Sequence, residues 1–233
     1  MKKTTKRLIR TITPPAIIKR LRSHFRQELR KERKRKEDQV PKVSLSKEHM
    51  ENCELLLDRS ELLSAMSENG RVVEIGVDNG DFSSRILNIA KPKSLHLIDV
   101  WGSERYHQGL FESVKSRFVT EIESGKVEIH RKLSTEAVHL FPESYFDWIY
   151  LDTNHTYETT REELLRYAPK LKINGIIAGH DYSMGNWTKG FRYGVIEAVH
   201  EFCVEHDWEL IYLTLEPIEN QSFAIRRILK NEA

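Results

Sequence analysis

From Arg71 onward the chain alternates short apolar runs with amphipathic segments, and no other feature limits the fold as strongly. The runs are "RVVEIG", "SLHLIDV", "KVEIHRK", "FDWIYLD", "GIIAGHD", "ELIYLTL" and "SFAIRRI". Between the first five, and before the sixth, stand "DFSSRILNIA", "FESVKSRFVTEIE", "STEAVHLF", "YETTREELLRYAPKL" and "GVIEAVHEFCVEH", all helix-like. Strand and helix in repeated alternation imply a parallel sheet covered on both faces. Only "EPIENQ" separates the last two runs, so they are expected to pair as an antiparallel hairpin at one edge of the sheet. The expected fold is α/β: a three-layer sandwich around a mostly parallel seven-stranded sheet, spanning residues 46–233. Ahead of the first run, "KEHMENCELLLDRSELLSAMSENG" reads as helix, with Met50, Cys53, Leu56 and Leu57 on one side and Gly70 as its stop.

The N-terminal segment is of another kind. Residues 1–40 carry 15 Lys or Arg against 4 Asp or Glu, a net +11, whereas the remaining 193 carry 22 against 31, a net −9. Thr13 is placed to cap a helix whose first turn takes Pro14 and Pro15. Ile17, Leu21, Phe25 and Leu29 then recur at every fourth position, a narrow apolar stripe with basic flanks. Beyond Arg30, "KERKRKED" is charged all round and is expected to fray, and Pro41 closes the segment. Residues 1–45 therefore read as a basic amphipathic helical arm. Three partners suit it: the domain itself or a second subunit of a homo-oligomer, an anionic membrane surface, or nucleic acid. Nucleic acid is disfavoured, because the arm holds one aromatic, Phe25, and the acidic body continues no basic groove.

No run approaches the roughly 18 apolar residues that a membrane helix requires, and "PPAII" near the start is far short of a signal sequence. Cys53 and Cys203 show no metal-site spacing and read as small buried hydrophobes in a reducing compartment. A cytoplasmic location is expected, peripheral to the inner face of the membrane where the arm meets lipid.

In sheets of this kind ligands sit at the carboxyl ends of the strands, where strand order reverses. The first run ends Glu74-Ile-Gly76-Val-Asp78-Asn-Gly80, which lacks the G-x-G-x-x-G spacing of a dinucleotide loop. An acid at the strand end repels a pyrophosphate but attracts a cation, such as the ammonium of an amino acid. Gly76 permits close backbone approach, and Gly80 admits a tight turn into the helix. Asp99, at the tip of the second run, can accept both hydroxyls of a ribose. The two acids describe a ligand with a ribose at one end and a positively charged amino acid at the other. S-adenosylmethionine fits that description, whereas NAD fits only its ribose half.

"VVEIGVDNG" resembles the first motif of the class I S-adenosylmethionine-dependent methyltransferases, acid-x-Gly-x-Gly-x-Gly, with Asp78 where the middle glycine often stands. "LHLIDVW" resembles their second motif, and the resemblance extends over roughly residues 50–230. It implies a Rossmann-like fold, S-adenosylmethionine as cofactor, and Glu74, Gly76, Gly80, Asp99 and Ser134 as cofactor-binding residues. Trp101 and Tyr106, just past Asp99, either line this pocket or pack as plain aromatics.

A second cluster follows. The fourth run ends "YLDTNHTYE", with Asp152 and His155, and the fifth ends "AGHDY", with His180 and Asp181. Neighbouring strand tips would bring two carboxylates and an imidazole together, a set able to hold a divalent cation, with His155 as a general base. An aliphatic hydroxyl is a poor nucleophile until its proton is removed, and a bound Mg²⁺ helps by lowering its pKa. The cluster resembles a metal-assisted O-methyltransferase branch that acts on sugar hydroxyls of natural products. That resemblance implies Asp152, Asp181 and His180 around Mg²⁺, and His155 with Asp152 as the catalytic pair. His180 also suits an orienting role behind the ligands, and either histidine suits the plain role of a helix cap. The Asn/Asp-Pro-Pro-aromatic signature of amino-methyltransferases is absent at 152–157, which tells against nucleobase amines. "SMGNWTKGFRYG", residues 183–194, is a candidate lid, while His96, His130 and His139 read as structural or exposed.

The expected function is a Mg²⁺-assisted O-methyltransferase for a hydroxyl of a sugar, a glycan or a glycosylated metabolite. The alternatives are a metal-independent methyltransferase for a phenol or carboxylate, and a non-catalytic adenosyl-binding partner subunit.

Overall fold

The computed structural model describes residues 15–103, 107–186 and 190–229. It divides into two units, with the boundary between Pro41 and Lys42. In the first, helix α1 spans Pro15–Glu37. It runs past Arg30, where the sequence predicts fraying, because Lys31 and Lys36 pair with Glu28 and Glu32 one turn back, at 2.9 and 3.5 Å. Lys34, Arg35 and Lys36 also face the negative end of the helix dipole. Ile17, Leu21, Phe25 and Leu29 are exposed on this helix. Thr13 and Pro14 lie outside the described residues.

The second unit begins ahead of residue 46. Leu45 packs on its core, and the Val43 carbonyl accepts a hydrogen bond from His200 Nδ1 at 3.0 Å. Its strands are β1 (Glu54–Leu56), β2 (Arg71–Ile75), β3 (Ser94–Asp99), β4 (Val127–Arg131), β5 (Phe146–Leu151), β6 (Leu171–Gly179), β7 (Gly185–Asn186), β8 (Phe191–Arg192), β9 (Trp208–Thr214) and β10 (Phe223–Arg227). Its helices are α2 (Arg59–Ala65), α3 (Asp81–Ile89), α4 (Gln108–Arg117), α5 (Val119–Glu123), α6 (Ser134–Ala137), α7 (Tyr157–Tyr167) and α8 (Val195–His206).

Eight strands form one sheet in the order β1-β9-β10-β6-β5-β2-β3-β4, while β7 and β8 make a separate two-stranded hairpin. Within the large sheet every pairing is parallel except those of β10 with β6 and β9. This is the expected Rossmann-like sandwich with two differences. The β9–β10 pair is not at an edge in the way expected, since β10 sits inside, between β6 and β9. The outer neighbour of β9 is β1, drawn from the segment that reads as helix. There Leu56 is buried while Glu54 and Leu55 are exposed, and β9 supplies the backbone partners. The helix starts only after Asp58, whose carboxylate accepts from the amides of Ser60 and Glu61 at 2.6 and 3.0 Å.

The pleat sends alternate residues to opposite faces. Val73, Ile75, Ile149, Leu151, Ile177 and Ile225 pack under α7 and α8 with Leu164, Val199 and Phe202. Val72, Leu95, Leu97, Trp148, Tyr150 and Ala224 pack against Leu62, Leu63, Ile86 and Phe118 on the other face. Buried on both sides, the strands read as continuous apolar runs. The chain steps outward from β2 to β4 and then returns to β5 on the other flank of β2, so the crevice opens at the carboxyl ends of β2 and β5.

Candidate active site

The loop after β2 is fixed from three directions. Gly76 donates its amide to the Ile98 carbonyl at 2.8 Å, and the Asp152 amide donates to the Ile75 carbonyl at 2.8 Å. Asp99 Oδ2 accepts from the amides of Val77 and Asp78 at 2.9 and 3.0 Å, and its Oδ1 from the Trp101 amide at 3.3 Å. The Trp101 indole, wholly buried, donates to the Asp78 carbonyl at 3.0 Å. Trp101 thus locks the loop by packing and two hydrogen bonds, and Tyr106 lies outside the described residues.

Gly76 has φ +92°, and a Cβ there would stand 1.9 Å from the Asp152 carbonyl oxygen. Gly80, φ +80°, precedes α3, and a Cβ on it would meet the Phe118 ring at 2.8 Å. Asp78 takes φ +52°, a left-handed conformation that Asp tolerates better than most residues. This accounts for an aspartate at a position where glycine is usual.

The geometry of Glu74 departs from the exposed anion expected of it. Its side chain turns under α3, is 1 % exposed, and accepts a hydrogen bond from Ser83 Oγ. Burial pushes its carboxyl well above the usual range, against the pull of Ser83, and Asp152 and Asp99 add to the rise. The buried carboxyl couples β2 to α3 through its hydrogen bond with Ser83. Ser134, the first residue of α6, lends its carbonyl to the Tyr167 hydroxyl at 2.8 Å.

The second cluster closes as its strand positions suggest. His155 Nδ1 lies 3.0 Å from Asp181 Oδ2, and His180 Nδ1 lies 3.4 Å from Asp181 Oδ1 and 3.9 Å from Asp152 Oδ2. Donor atoms of Asp152, His155 and Asp181 all fall within 4.8 Å of one another. His155 and Asp181 hold φ of +61° and +59°, strained positions of the kind that gather at functional sites. Burial raises the Asp152 carboxyl, opposed by His180 and His155. Burial works the same way on Asp181, but His180, His155 and Asn220 together hold it below its usual range.

Two carboxylates side by side are the donors Mg²⁺ prefers, so Asp152 and Asp181 fit that ion. His155, already turned onto Asp181 through Nδ1, fits a base better than a ligand. His180 touches both carboxylates through Nδ1, while its Nε2 is buried with no hydrogen-bond partner among the described residues. It lies beside the trio of Asp152, His155 and Asp181, whose donor atoms gather within 4.8 Å.

Two further residues join the site: Asn220, for which local sequence carries no signal, and Tyr193, which falls within the candidate lid. Asn220 donates to Asp181 Oδ1 at 2.6 Å from the β9–β10 link, and only the insertion of β10 beside β6 brings it there. The Tyr193 ring stands 4.8 Å from that of His155. Residues 185–186 and 191–192 of the candidate lid form the β7–β8 hairpin, and 187–189 lie outside the described residues.

Behind the cluster, Glu163 of α7 is 1 % exposed and accepts from Thr153 Oγ1 at 2.9 Å. Burial pushes its carboxyl up to about 7, against hydrogen bonds from Ser134 and Thr153. With the folded pKa above the unfolded one, its contribution is largest below about pH 4.5 and is lost as pH rises through 7. Glu163→Gln is expected to flatten this dependence and to gain roughly 3 kcal/mol over the parent at pH 8. Urea unfolding at pH 5 and pH 8 checks it; equal pH sensitivity in both proteins would refute it.

Residues 73–182 match the family model described as a methyltransferase domain. No curated protein matches the chain. Among solved structures, an rRNA methylase from Streptococcus thermophilus is similar at TM-score 0.53 and 15 % identity, over 73 % of this chain and 95 % of that one. A Streptococcus mutans protein named as a methyltransferase and solved with SAH gives TM-score 0.51 and 15 % identity, over 72 % and 93 %. The Bacillus subtilis tRNA methyltransferase TrmK gives TM-score 0.52 and 13 % identity, over 74 % and 67 %. At these identities the structural likeness speaks for the fold. Fold, glycine loop and family match together define a class I methyltransferase that uses S-adenosylmethionine.

Proposed function

We propose that the chain transfers the methyl group of S-adenosylmethionine to a hydroxyl oxygen of a sugar, a glycan or a sugar-bearing metabolite. The observation that supports this reading is the His155–Asp181 pair at 3.0 Å, set beside Asp152 at the open end of the sheet. Gly76, Gly80 and Asp99 shape the cofactor loop, and Glu74 supports it from behind through Ser83 of α3. The cofactor supplies a methyl carbon already activated on a positively charged sulfur. The acceptor oxygen attacks that carbon in line as the carbon–sulfur bond breaks. His155, oriented by Asp181, takes the hydroxyl proton, and the products are a methyl ether, S-adenosylhomocysteine and a protonated imidazole. Asp152 and Asp181 would hold a Mg²⁺ ion, which when bound lowers the pKa of a coordinated hydroxyl.

Incubation with isotope-labelled cofactor and separate glycan, phenolic and RNA fractions, followed by mass spectrometry, tests the acceptor. Label on a sugar hydroxyl supports the reading, and label elsewhere or nowhere overturns it. Chelation is expected to lower the rate at least tenfold, with recovery on adding Mg²⁺ in the parent but not in Asp152→Asn. A rate indifferent to chelator would point to the metal-free alternative.

For the arm we propose an anionic lipid surface. Ile17, Leu21, Phe25 and Leu29 line one side of α1, and its basic flanks complement acidic headgroups. The intact chain is expected to float with vesicles containing phosphatidylserine and to stay behind with purely zwitterionic ones, and removal of residues 1–40 should abolish flotation. Equal recovery with both vesicle types would count against it.

A further inference from the structure

We propose that His96, Glu128 and His130 form a binding site for a zinc-type divalent metal on the outer strands β3 and β4, apart from the Asp152 cluster. Strand register sets it up. His96 pairs with Glu128, and Ile98 with His130, so the pleat turns 96, 128 and 130 to one face. His96 Nδ1 lies 3.1 Å from His130 Nε2 and 3.5 Å from Glu128 Oε2, and His130 Nε2 lies 3.7 Å from Glu128 Oε1. Ligands about 2.0–2.1 Å from a tetrahedral metal are separated from one another by about 3.3 Å. The three donors already stand close to that spacing.

The surroundings favour a metal over a simple imidazole pair. Phe141 meets both rings edge-on, with centroids 5.1 and 5.4 Å away, and Phe146 meets His96 at 5.7 Å. These aromatics hold the imidazoles in place. The Tyr145 hydroxyl lies 3.4 Å from the far nitrogen of His96, the position from which an outer group orients a metal-bound histidine. Glu128 is 64 % exposed, which leaves the outer side open to a water as fourth ligand. Two imidazoles and one carboxylate suit zinc, cobalt or nickel better than magnesium or calcium.

Such a metal would staple the edge strand. Among the described residues β4 is bonded in the large sheet to β3 alone, and the residues that follow the site on both strands belong to the cofactor side. Arg131 donates to the Val100 and Trp101 carbonyls at 3.2 and 2.7 Å, next to Asp99.

The test uses the full-length protein, stripped with chelator, in an Asp152→Asn/Asp181→Asn background that removes the other donor cluster. Cobalt(II) is expected to bind with one equivalent and to give the intense visible absorption of a four-coordinate centre. Zinc should raise the melting temperature. Glu128→Gln, a change at an exposed side chain, and His130→Ala should each weaken the metal at least tenfold and remove the thermal shift. Absence of binding in the double variant, or affinities unchanged by Glu128→Gln, would overturn the proposal, and neither outcome bears on the methyl-transfer reading.

Discussion

Gly76→Ala is expected to lower the melting temperature of the body by about 10 °C and to abolish S-adenosylmethionine binding. Two effects combine. At φ +92° an L side chain is strained wherever it has room, and here a Cβ would stand 1.9 Å from the Asp152 carbonyl oxygen and 2.5 Å from its carbon. The obstruction is backbone at the end of the neighbouring strand β5, so no rotamer change can relieve it. Relief requires β2 and β5 to part at the crevice or the loop to lift. Lifting pulls the amides of Val77 and Asp78 off Asp99, which fixes the cofactor loop. A destabilisation of about 3 kcal/mol belongs with substitutions that force backbone apart. Gly125 provides the control, since its φ is +74° and a Cβ there would meet no atom of the described residues within 4 Å. Gly125→Ala carries the conformational cost alone, about 1 kcal/mol, and should leave cofactor affinity unchanged. Thermal unfolding and calorimetric titration of both variants decide the matter. Equal effects at the two positions would show that close approach of β5 is not what reserves position 76 for glycine.

The parts of the structure legible in sequence are those fixed by periodicity. "FDWIYL" reads as a doubly buried strand because neither of its faces meets water, with Trp148 and Tyr150 on one side and Ile149 and Leu151 on the other. Strand β1 is hidden because "CELLLDRSELL" spaces its leucines as a helix does, and its identity depends on backbone groups of β9 more than 150 residues away. A local clue stands beside it: Asp58 and Glu61 form an acid-x-x-Glu start signal, and Glu61 reaches back to the Leu57 amide at 2.5 Å. At the site, the rule that strand tips face the ligand is enough to bring Asp152, His155, His180 and Asp181 together. The direction of one side chain is not available in that way. Glu74 occupies a strand end as expected, yet the pleat that puts Val73 and Ile75 under α7 and α8 turns it to the other face, where Ser83 of α3 donates to it. Asn220 becomes visible only through the placement of β10.

His155→Ala is expected to reduce kcat by about 10²- to 10⁴-fold, equivalent to about 2.7–5.5 kcal/mol of transition-state stabilisation, while leaving cofactor affinity within about twofold of the parent. The expectation follows from tautomer. With Nδ1 held 3.0 Å from an Asp181 oxygen, the imidazole carries its proton there, and a further proton must be taken at Nε2. Asp181 is itself fixed by Asn220 at 2.6 Å and faces His180 at 3.4 Å, so the pair enters the reaction already oriented. The same geometry sets the Asp181 carboxylate beside the imidazolium that forms when the proton is taken. Asp181→Asn should therefore shift the acidic limb of the kcat profile toward lower pH, since the imidazolium loses its counter-charge, and lower the plateau as well. A residue serving only as a helix cap would change stability without moving that limb. Steady-state rates from pH 5 to 9 on parent, His155→Ala and Asp181→Asn, with cofactor affinity measured separately, distinguish the roles. Retention of the parental kcat by His155→Ala would remove the base from the mechanism, and acceptor activation would then fall to the Asp152 and Asp181 carboxylates.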